Sequence, residues 1–392
     1  MAVITKNDIL AISEPFEAMY GEMANEIMIM LSEYLGKDID EPIEVWQQKK
    51  MQQVALIIKR VQAIQNGAAY VGTTDTALNE VVKETLEDIE PKLEAAAASG
   101  YLKKASDLND SLSIAQLKKL KKQEFLQTFK NMNAEMQNGA TQSFLKAITY
   151  VVSQEQKRYD ILDEAVRKEF EGRARQKVVA DAIRKLINEN VPAFVDRAGR
   201  KWSAEAYANM YTRTNVHNMS LDVVDKRNED YSNDLIEVSK HAGARPLCAP
   251  YQGKVYSTGN RSGTTKDARG NTVRFKPLSS TSYGEPAGLF GINCGHQKYP
   301  FIPGFSFNDI KPLSKKEIAE NDRIYAESQK QRQLEREVRK SKTKEQALRK
   351  AGLIDQADAE KAHIRERQKA VADFCKATGR TRRYDREKVV GK

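Results

Sequence analysis

Two cysteines and two histidines stand in one turn-rich segment near the middle of the chain. His241 and Cys248 lie at the start of this segment, residues 241–304, and Cys294 and His296 lie near its end. Neutral imidazole and thiolate are ligands that suit Zn²⁺, which takes four of them in a tetrahedron. Closed zinc sites usually draw pairs spaced more widely than Cys294 and His296. The set therefore indicates either a Zn²⁺ site or a structural cluster held by packing and hydrogen bonds.

A thiol nucleophile is the other chemistry that these residues could support. Cys248 or Cys294 would need one of the histidines as its base and an orienting group such as Asn293. The sequence around them lacks the local signature of a known thiol hydrolase. We therefore do not expect an enzyme.

Three charged or titratable residues lie on or near one face of the same predicted helix. They are Arg213, His217 and Asp222, and we expect them to form a buried salt bridge.

The end of the chain is strongly basic. Residues 312–392 contain 23 Lys and Arg against 14 Asp and Glu, which gives nine of the ten net positive charges of the whole chain. Side chains at this density can neutralise DNA phosphates without sequence preference. The candidates for this contact are Lys376, Arg380, Arg382, Arg383, Arg386 and Lys388. Because Asp385 and Glu387 stand among them, a solvated helix face with internal ion pairs is an equal alternative.

Composition limits the class of protein. The chain of 392 residues is 40% hydrophobic and 30% charged, which favours packed domains over disorder. Its longest apolar runs, Ile27–Leu31 and Val54–Ile58, are far shorter than the roughly 20 residues of a membrane span. The first residues do not resemble a signal peptide, and three cysteines are an odd count for a disulfide framework. We expect reduced thiols, no membrane partner and synthesis in the cytoplasm.

The elements that position these groups are mostly helices. Apolar residues recur every three or four positions through residues 13–100 and 112–190, which predicts long amphipathic helices. A short hairpin turning at 197–199 follows, and then a helix that is capped by Ser203 and runs to about Lys226.

The period changes after this helix. Three short strands are expected, the first starting at Leu235 and the others at 254–257 and 272–275, with 258–271 as a polar loop or a hairpin tip. Helices return from Ser314 onwards. The predicted class is therefore mainly α with a small α+β module, and the predicted segments are a helical docking region at 1–190, the module at 191–311 and a basic helical tail at 312–392.

Several strings resemble one viral family. They read PAFVDRAGRKWSAEAYANMYTRTN, HAGARPLCAPYQGKVYS, GLFGINCGHQKYPFIPG and RTRRYDREKV. Together they resemble the tailed-phage minor capsid protein 2 family, which is related to the MuF-type head morphogenesis proteins. The resemblance covers essentially the whole chain. The chain departs from the family pattern at three positions, with Cys248 where histidine is usual, Tyr251 for tryptophan and Gly295 for arginine.

The resemblance implies a structural head protein and a MuF-like fold for the module. Its expected partners are the portal protein, the major capsid or scaffolding protein, and packaged DNA. Its expected location is the virion, inside the head near the portal vertex, after synthesis in the host cytoplasm. No cofactor is expected from the family, and zinc stays possible at the four-residue set. A zinc-binding or enzymatic module centred on that set is the alternative function.

Overall fold

The structure of the chain is a computed structural model. It divides into two units, each built from three separate segments of the chain. The structure describes residues 5–105, 110–159, 164–196 and 199–389, with the side chains of 110–112, 158–159 and 164–174 left out. One unit, here called the sheet unit, comprises Met1–Pro15, Val71–Gln127 and Asn209–Gln329. The other, the helical unit, comprises Phe16–Tyr70, Thr128–Ala208 and Lys330–Lys392. The division into 1–190, 191–311 and 312–392 follows composition and stays a prediction.

Helices dominate the chain, as the apolar periodicity predicts. They are Lys6–Gly36 (α1), Ile43–Asn66 (α2), Tyr70–Ala98 (α3), Asp110–Tyr159 (α4), Glu164–Asn188 (α5), Ala204–Asp230 (α6), Lys315–Lys350 (α7) and Ile354–Thr378 (α8). The backbone N–H of Ala206 donates to Ser203 Oγ over 3.2 Å, so the predicted cap of α6 is confirmed. α3 continues through Pro91, which lies inside the helix. Leu162, Val166 and Phe170, which belong to the helical pattern predicted for 112–190, lie outside the described side chains.

Short strands form a hairpin and a small sheet. They are Ala193–Val195 (β1), Lys201–Ser203 (β2), Leu235–Val238 (β3), Val255–Ser257 (β4), Gly263–Lys266 (β5), Thr272–Pro277 (β6) and Lys298–Pro300 (β7). β1 and β2 pair antiparallel, which confirms the hairpin, although the turn residues Arg197 and Ala198 lie outside the described residues. The sheet has the order β5-β6-β4-β3-β7, in which β4 and β6 are parallel and the other pairs antiparallel.

The helical unit is built on an aromatic core. Phe129 of α4 stacks on Phe16 and Tyr20 of α1 with ring centroids 5.3 Å apart in each case, and Tyr70 meets its edge at 6.0 Å. The rings of Phe16, Tyr20 and Phe129 are fully buried. Offset and edge-on aromatic pairs add about 0.5–1.5 kcal/mol each beyond the area that they bury. The stripe predicted on the first helix is therefore core.

The sheet unit packs both faces of its central strands. Ile236 and Val238 of β3 lie in one apolar cluster with Leu221 of α6 and the thiols of Cys248 and Cys294. The alternate residue Leu235 lies in a second cluster, whose other members are Val255, Val273, Phe275 and Phe301. This alternation follows the period of two in a strand. The module is thus a two-sided sheet with the candidate ligands in one of its cores.

The predicted fold class is confirmed, and two strands were missed. The segment expected to be a polar loop or a hairpin tip, 258–271, contains β5, which pairs antiparallel with β6, so only 267–271 form the tip of a hairpin. Its sequence, GTTK, has no large apolar residue and three of its four residues are exposed. β7 carries Pro300 and so lacked the pattern of a strand; Pro300 is its last residue. Among the described helices, none is both long and apolar enough to cross a membrane.

Candidate functional site

Three of the four predicted ligands meet inside the sheet unit. One ligand atom from each of Cys248, Cys294 and His296 lies within 4.8 Å of the others, and all three residues are buried. Cys294 Sγ and His296 Nδ1 are 3.3 Å apart. His241 lies beside this group, with its ring centroid 4.4 Å from that of His296 and the two planes tilted by 33°. The four side chains that the sequence singled out are therefore neighbours.

A tight loop presents Cys294. Phe290 and Asn293 both have positive φ, +61° and +56°, a region that non-glycine residues rarely occupy. The loop is held by the N–H of Phe290, which donates to Cys294 Sγ over 3.2 Å, and by the N–H of Asn293, which donates to Thr214 Oγ1 over 3.1 Å. Backbone in sparse regions persists where its surroundings fix it, and it occurs often at ligand sites. The loop therefore holds the sulfur in a fixed direction.

The second thiol is presented by a short helical turn. Cys248 precedes the 3-10 helix Ala249–Tyr251, and its N–H donates to the carbonyl of Arg245 over 2.8 Å. The Cys248 thiol donates toward Cys294, which lowers the pKa of Cys294 and raises that of Cys248. The His296 side chain lowers the pKa of Cys294 further. Cys294 is therefore the more acidic of the two thiols.

His241 is neutral and has one ring nitrogen without a partner. Burial and the neighbouring His296 lower its pKa to about 4. Its Nδ1 lies 3.1 Å from the carbonyl oxygen of Ala242, which places the proton on Nδ1 and a lone pair on Nε2. Within the described part of the chain, Nε2 is buried and has no hydrogen-bond partner. This nitrogen is therefore available to a ligand.

Sequence reasoning missed the part that His217 plays. It was expected in a salt bridge with Arg213 and Asp222, but its Nε2 lies 2.7 Å from the carbonyl oxygen of His296. Burial lowers the pKa of His217, so the ring is neutral and donates from Nε2. No local motif links positions 217 and 296, and only the packing of α6 on the module brings them together.

An unusual number of polar atoms around the thiols lack partners among the described residues. They are His217 Nδ1, His241 Nε2, Asn293 Oδ1, His296 Nε2 and Gln297 Nε2. A buried polar atom without a partner costs about 1–3 kcal/mol, so a cluster of them needs an explanation. A cavity of about 10 Å³, close to the room for one water molecule, is lined by several of the same residues. The site is thus polar, enclosed and small.

Gly288 is required by the path of the loop that leads to Cys294. A β-carbon at this position would lie 1.9 Å from the backbone oxygen of Ser282. We predict that Gly288→Ala lowers the free energy of unfolding by about 1–3 kcal/mol, because the loop must shift to relieve the clash. Gly270→Ala is the comparison variant without a clash, because nothing lies within 4 Å of a β-carbon at that position. Its φ of +80° means that this variant carries backbone strain alone. Equal thermal stability of Gly288→Ala and the wild type would contradict the prediction.

The basic candidates at the end of the chain are partly engaged with acidic residues. Arg382 forms two hydrogen bonds with buried Glu387, at 2.6 and 2.8 Å, and Arg383 pairs with Asp385 at 3.1 Å. Arg380 donates to Gln331 Oε1 of α7 over 2.7 Å. Of the six predicted residues, Arg380, Arg382 and Arg383 thus have side-chain partners on the protein, Arg386 is half-buried, and Lys376 and Lys388 are exposed.

The segment after α8 folds back on α7. Arg339 donates to the carbonyl of Arg386 over 2.6 Å, and Lys342 donates to the carbonyl of Glu387 over 2.8 Å. Gln331 Nε2 likewise donates to the carbonyl of Thr381 over 3.0 Å. These contacts give the residues at 380–388 a fixed surface in place of an extended arm.

Comparison with known proteins assigns the family. The model of the family described as phage minor capsid protein 2 matches residues 4–376. The chain belongs to that family. The resemblance identified from its strings is thereby confirmed. Since the match spans both units and the thiol and imidazole cluster, the phage minor capsid protein 2 fold includes the candidate site.

Two relatives are phage structural proteins. A structural protein of Lactococcus phage LL-H is 34% identical over 214 residues, which cover 54% of this chain and 56% of the relative. A structural protein of Lactococcus phage mv4 is 36% identical over 121 residues, which cover 30% of this chain and 96% of the relative. The match thus spans about half the length of the first. No solved structure matches the chain.

Proposed function

We propose that this member of the phage minor capsid protein 2 family is a low-copy structural component of the virion, inside the head at the portal vertex. The observation that carries the proposal is the family match over residues 4–376, and the two relatives described as structural proteins support it. The proposed partners at this position are the portal protein and the major capsid or scaffolding protein.

A structural role agrees better with the candidate site than a catalytic one does. The exposed fractions of Cys248, Cys294 and His296 are 1%, 8% and 1%. A nucleophile or a catalytic metal needs an open position for its substrate, whereas a structural site is closed by protein groups. We therefore infer that the module supports the fold and does not turn over a substrate.

Crosslinking of intact particles tests the position. Lysines at 37, 59 and 146 belong to the predicted docking region 1–190, and we expect them to crosslink to the portal protein. The experiment uses the whole chain because residues 1–190 contribute to both units, so that their deletion would remove parts of each. Crosslinks from these lysines to tail proteins alone, in particles that yield portal-to-capsid crosslinks, would contradict the proposed position.

The basic end of the chain is proposed to face packaged DNA. Lys376 and Lys388 are exposed, and the ion pair of Arg383 with Asp385 is an exposed one that phosphate can replace at little cost. Arg382 is different because its partner, Glu387, is buried. We therefore assign phosphate contact first to the two lysines and a structural role to Arg382.

Binding to duplex DNA at several salt concentrations tests this assignment. Lys376→Ala combined with Lys388→Ala is expected to weaken binding and to reduce the slope of log affinity against log salt by about 2, since each phosphate contact contributes about 1. Lys59→Ala combined with Lys146→Ala removes the same charge from exposed positions on α2 and α4 and serves as the control. Equal slopes for the two double variants would contradict a specific contact by the tail.

A further inference from the structure

We propose that the sheet unit binds one structural Zn²⁺ through Cys248 Sγ, Cys294 Sγ, His296 Nδ1 and His241 Nε2. The proposal concerns the isolated protein and is independent of its position in the virion. It rests on the donor set, its geometry and the polar atoms that are left without partners around it.

The distance between the Cys294 and His296 ligand atoms already fits a tetrahedral zinc site. Bonds of about 2.3 Å to sulfur and 2.0 Å to nitrogen at the tetrahedral angle place the two ligand atoms about 3.5 Å apart. Cys294 Sγ and His296 Nδ1 are 3.3 Å apart, and Cys248 offers a third atom within 4.8 Å of both. His296 Nε2 is in addition buried without a hydrogen-bond partner among the described residues, and such a polar atom is costly in an apolar core.

His241 supplies the fourth ligand. A β-carbon on Gly295 would lie 3.2 Å from His241 Nε2, so this nitrogen faces the single residue that separates Cys294 from His296. Its other nitrogen is tied to the carbonyl of Ala242, the arrangement that fixes the tautomer and ring direction of metal-binding histidines. The buried and unpartnered state of Nε2 then has a physical reason: it is a ligand position.

His217 acts as a positioning residue. Its Nε2–H donates to the backbone carbonyl of His296, and this contact anchors the Cys294–His296 loop to α6. His217 is therefore expected to support the loop without binding the metal.

Charge balance favours a divalent ion. Two thiolates and two neutral imidazoles carry a total charge of −2, which Zn²⁺ cancels. The filled site is therefore neutral, and its burial does not carry the desolvation cost of a net charge. Because a thiol must lose its proton to bind the metal, metal binding at neutral pH should release protons to the solvent, which calorimetry in buffers of different ionisation enthalpy measures.

Metal content of the purified full chain tests the proposal. Reconstitution with Zn²⁺ should give about one ion per chain, and Co²⁺ in its place should give a sulfur-to-metal charge-transfer band in the near ultraviolet. Cys248→Ser and Cys294→Ser should each lose the ion, and Cys375→Ser should keep it. Cys375 is the matched control because it is also buried but belongs to the cluster of Val338 and Val371 in the helical unit.

Two further variants test the fourth ligand. Measurements on the wild-type chain test the site without depending on whether any variant folds. His241→Gln should lower zinc affinity by more than about 100-fold, beyond the range for groups outside the coordination sphere, whereas His217→Gln should keep one ion per chain. A wild-type chain that binds neither ion after reconstitution would overturn the site, as would a Cys248–Cys294 disulfide, seen as an intact mass lower by two hydrogens and assigned by mapping of the linked peptides. Loss of zinc in His217→Gln but not in His241→Gln would overturn the assignment of His241.

Discussion

Replacing Arg227 by methionine is expected to lower the free energy of unfolding of the sheet unit by about 3 kcal/mol. Arg227 of α6 is 3% exposed, and its Nε donates to Glu90 Oε2 of α3 over 2.7 Å. Its Nη1 donates to buried Asp230 over 2.9 Å. Breaking a buried ion pair costs about 3–5 kcal/mol, because the remaining charge is left uncompensated. Lys226 still pairs with Asp230 at 3.1 Å, which places the effect at the lower end.

Hydrogen exchange of peptides from 209–329 measures the loss of stability in the sheet unit itself. The two tryptophans of the chain, Trp46 and Trp202, both belong to the helical unit, so their fluorescence reports on the other half. Arg323→Met is the control in the same unit, since its side chain is 56% exposed and its pairs with Glu320 and Glu327 lie at the surface. The control should change stability by less than about 0.5 kcal/mol. Similar protection in both variants would contradict the account.

Glu237 is expected to make the sheet unit less stable as the pH rises. It lies on β3, is 7% exposed, and its Oε1 has no hydrogen-bond partner among the described residues. Burial raises its pKa to about 7, although nearby Lys92 opposes the shift. Because the folded pKa is above the ordinary value, the protonated form is favoured by folding. The stability that this proton gives is complete below pH 4.5 and is lost as the pH rises through 7.

Glu237→Gln tests this directly. A shift from 4.5 to about 7 corresponds to about 3 kcal/mol, so the variant should be more stable than the wild type by up to that amount at pH 8 and about equal at pH 4.5. Asp88, whose pKa burial raises to about 6, adds a smaller loss in the same direction and is unchanged in both proteins. The measurement is the difference in hydrogen-exchange protection of the two proteins between pH 5 and 8. A difference that does not grow with pH would exclude a buried Glu237 carboxylate as the cause.

The helices and the cysteine and histidine set could be predicted from the sequence because their signals are local. The stripe through Phe16 and Tyr20 has the helical period, and the four soft ligands are rare residue types gathered in one segment. The strand at Gly263–Lys266 could not be predicted in the same way. It is an exposed edge strand that is held by its backbone hydrogen bonds to β6. Its side chains are not selected for burial and so leave no apolar pattern in the sequence.

Long-range packing explains the other omissions. His217 stands 79 positions before His296, and only α6 packed on the module places its ring against that carbonyl. The ion pair of Arg382 with Glu387 could be predicted only as an alternative to DNA contact. The spacing of charges in the sequence does not show which carboxylate becomes buried. The composition also gives no indication that residues from three separate segments form each unit.

The most direct test of the central claim is an asymmetric electron cryomicroscopy reconstruction of the portal vertex in particles of the phage that encodes this chain. The account predicts density for the helical unit and the five-stranded module inside the head, against the portal, in DNA-filled particles. Density for the chain on the tail or on the outer capsid surface, or its absence from purified particles, would contradict the account.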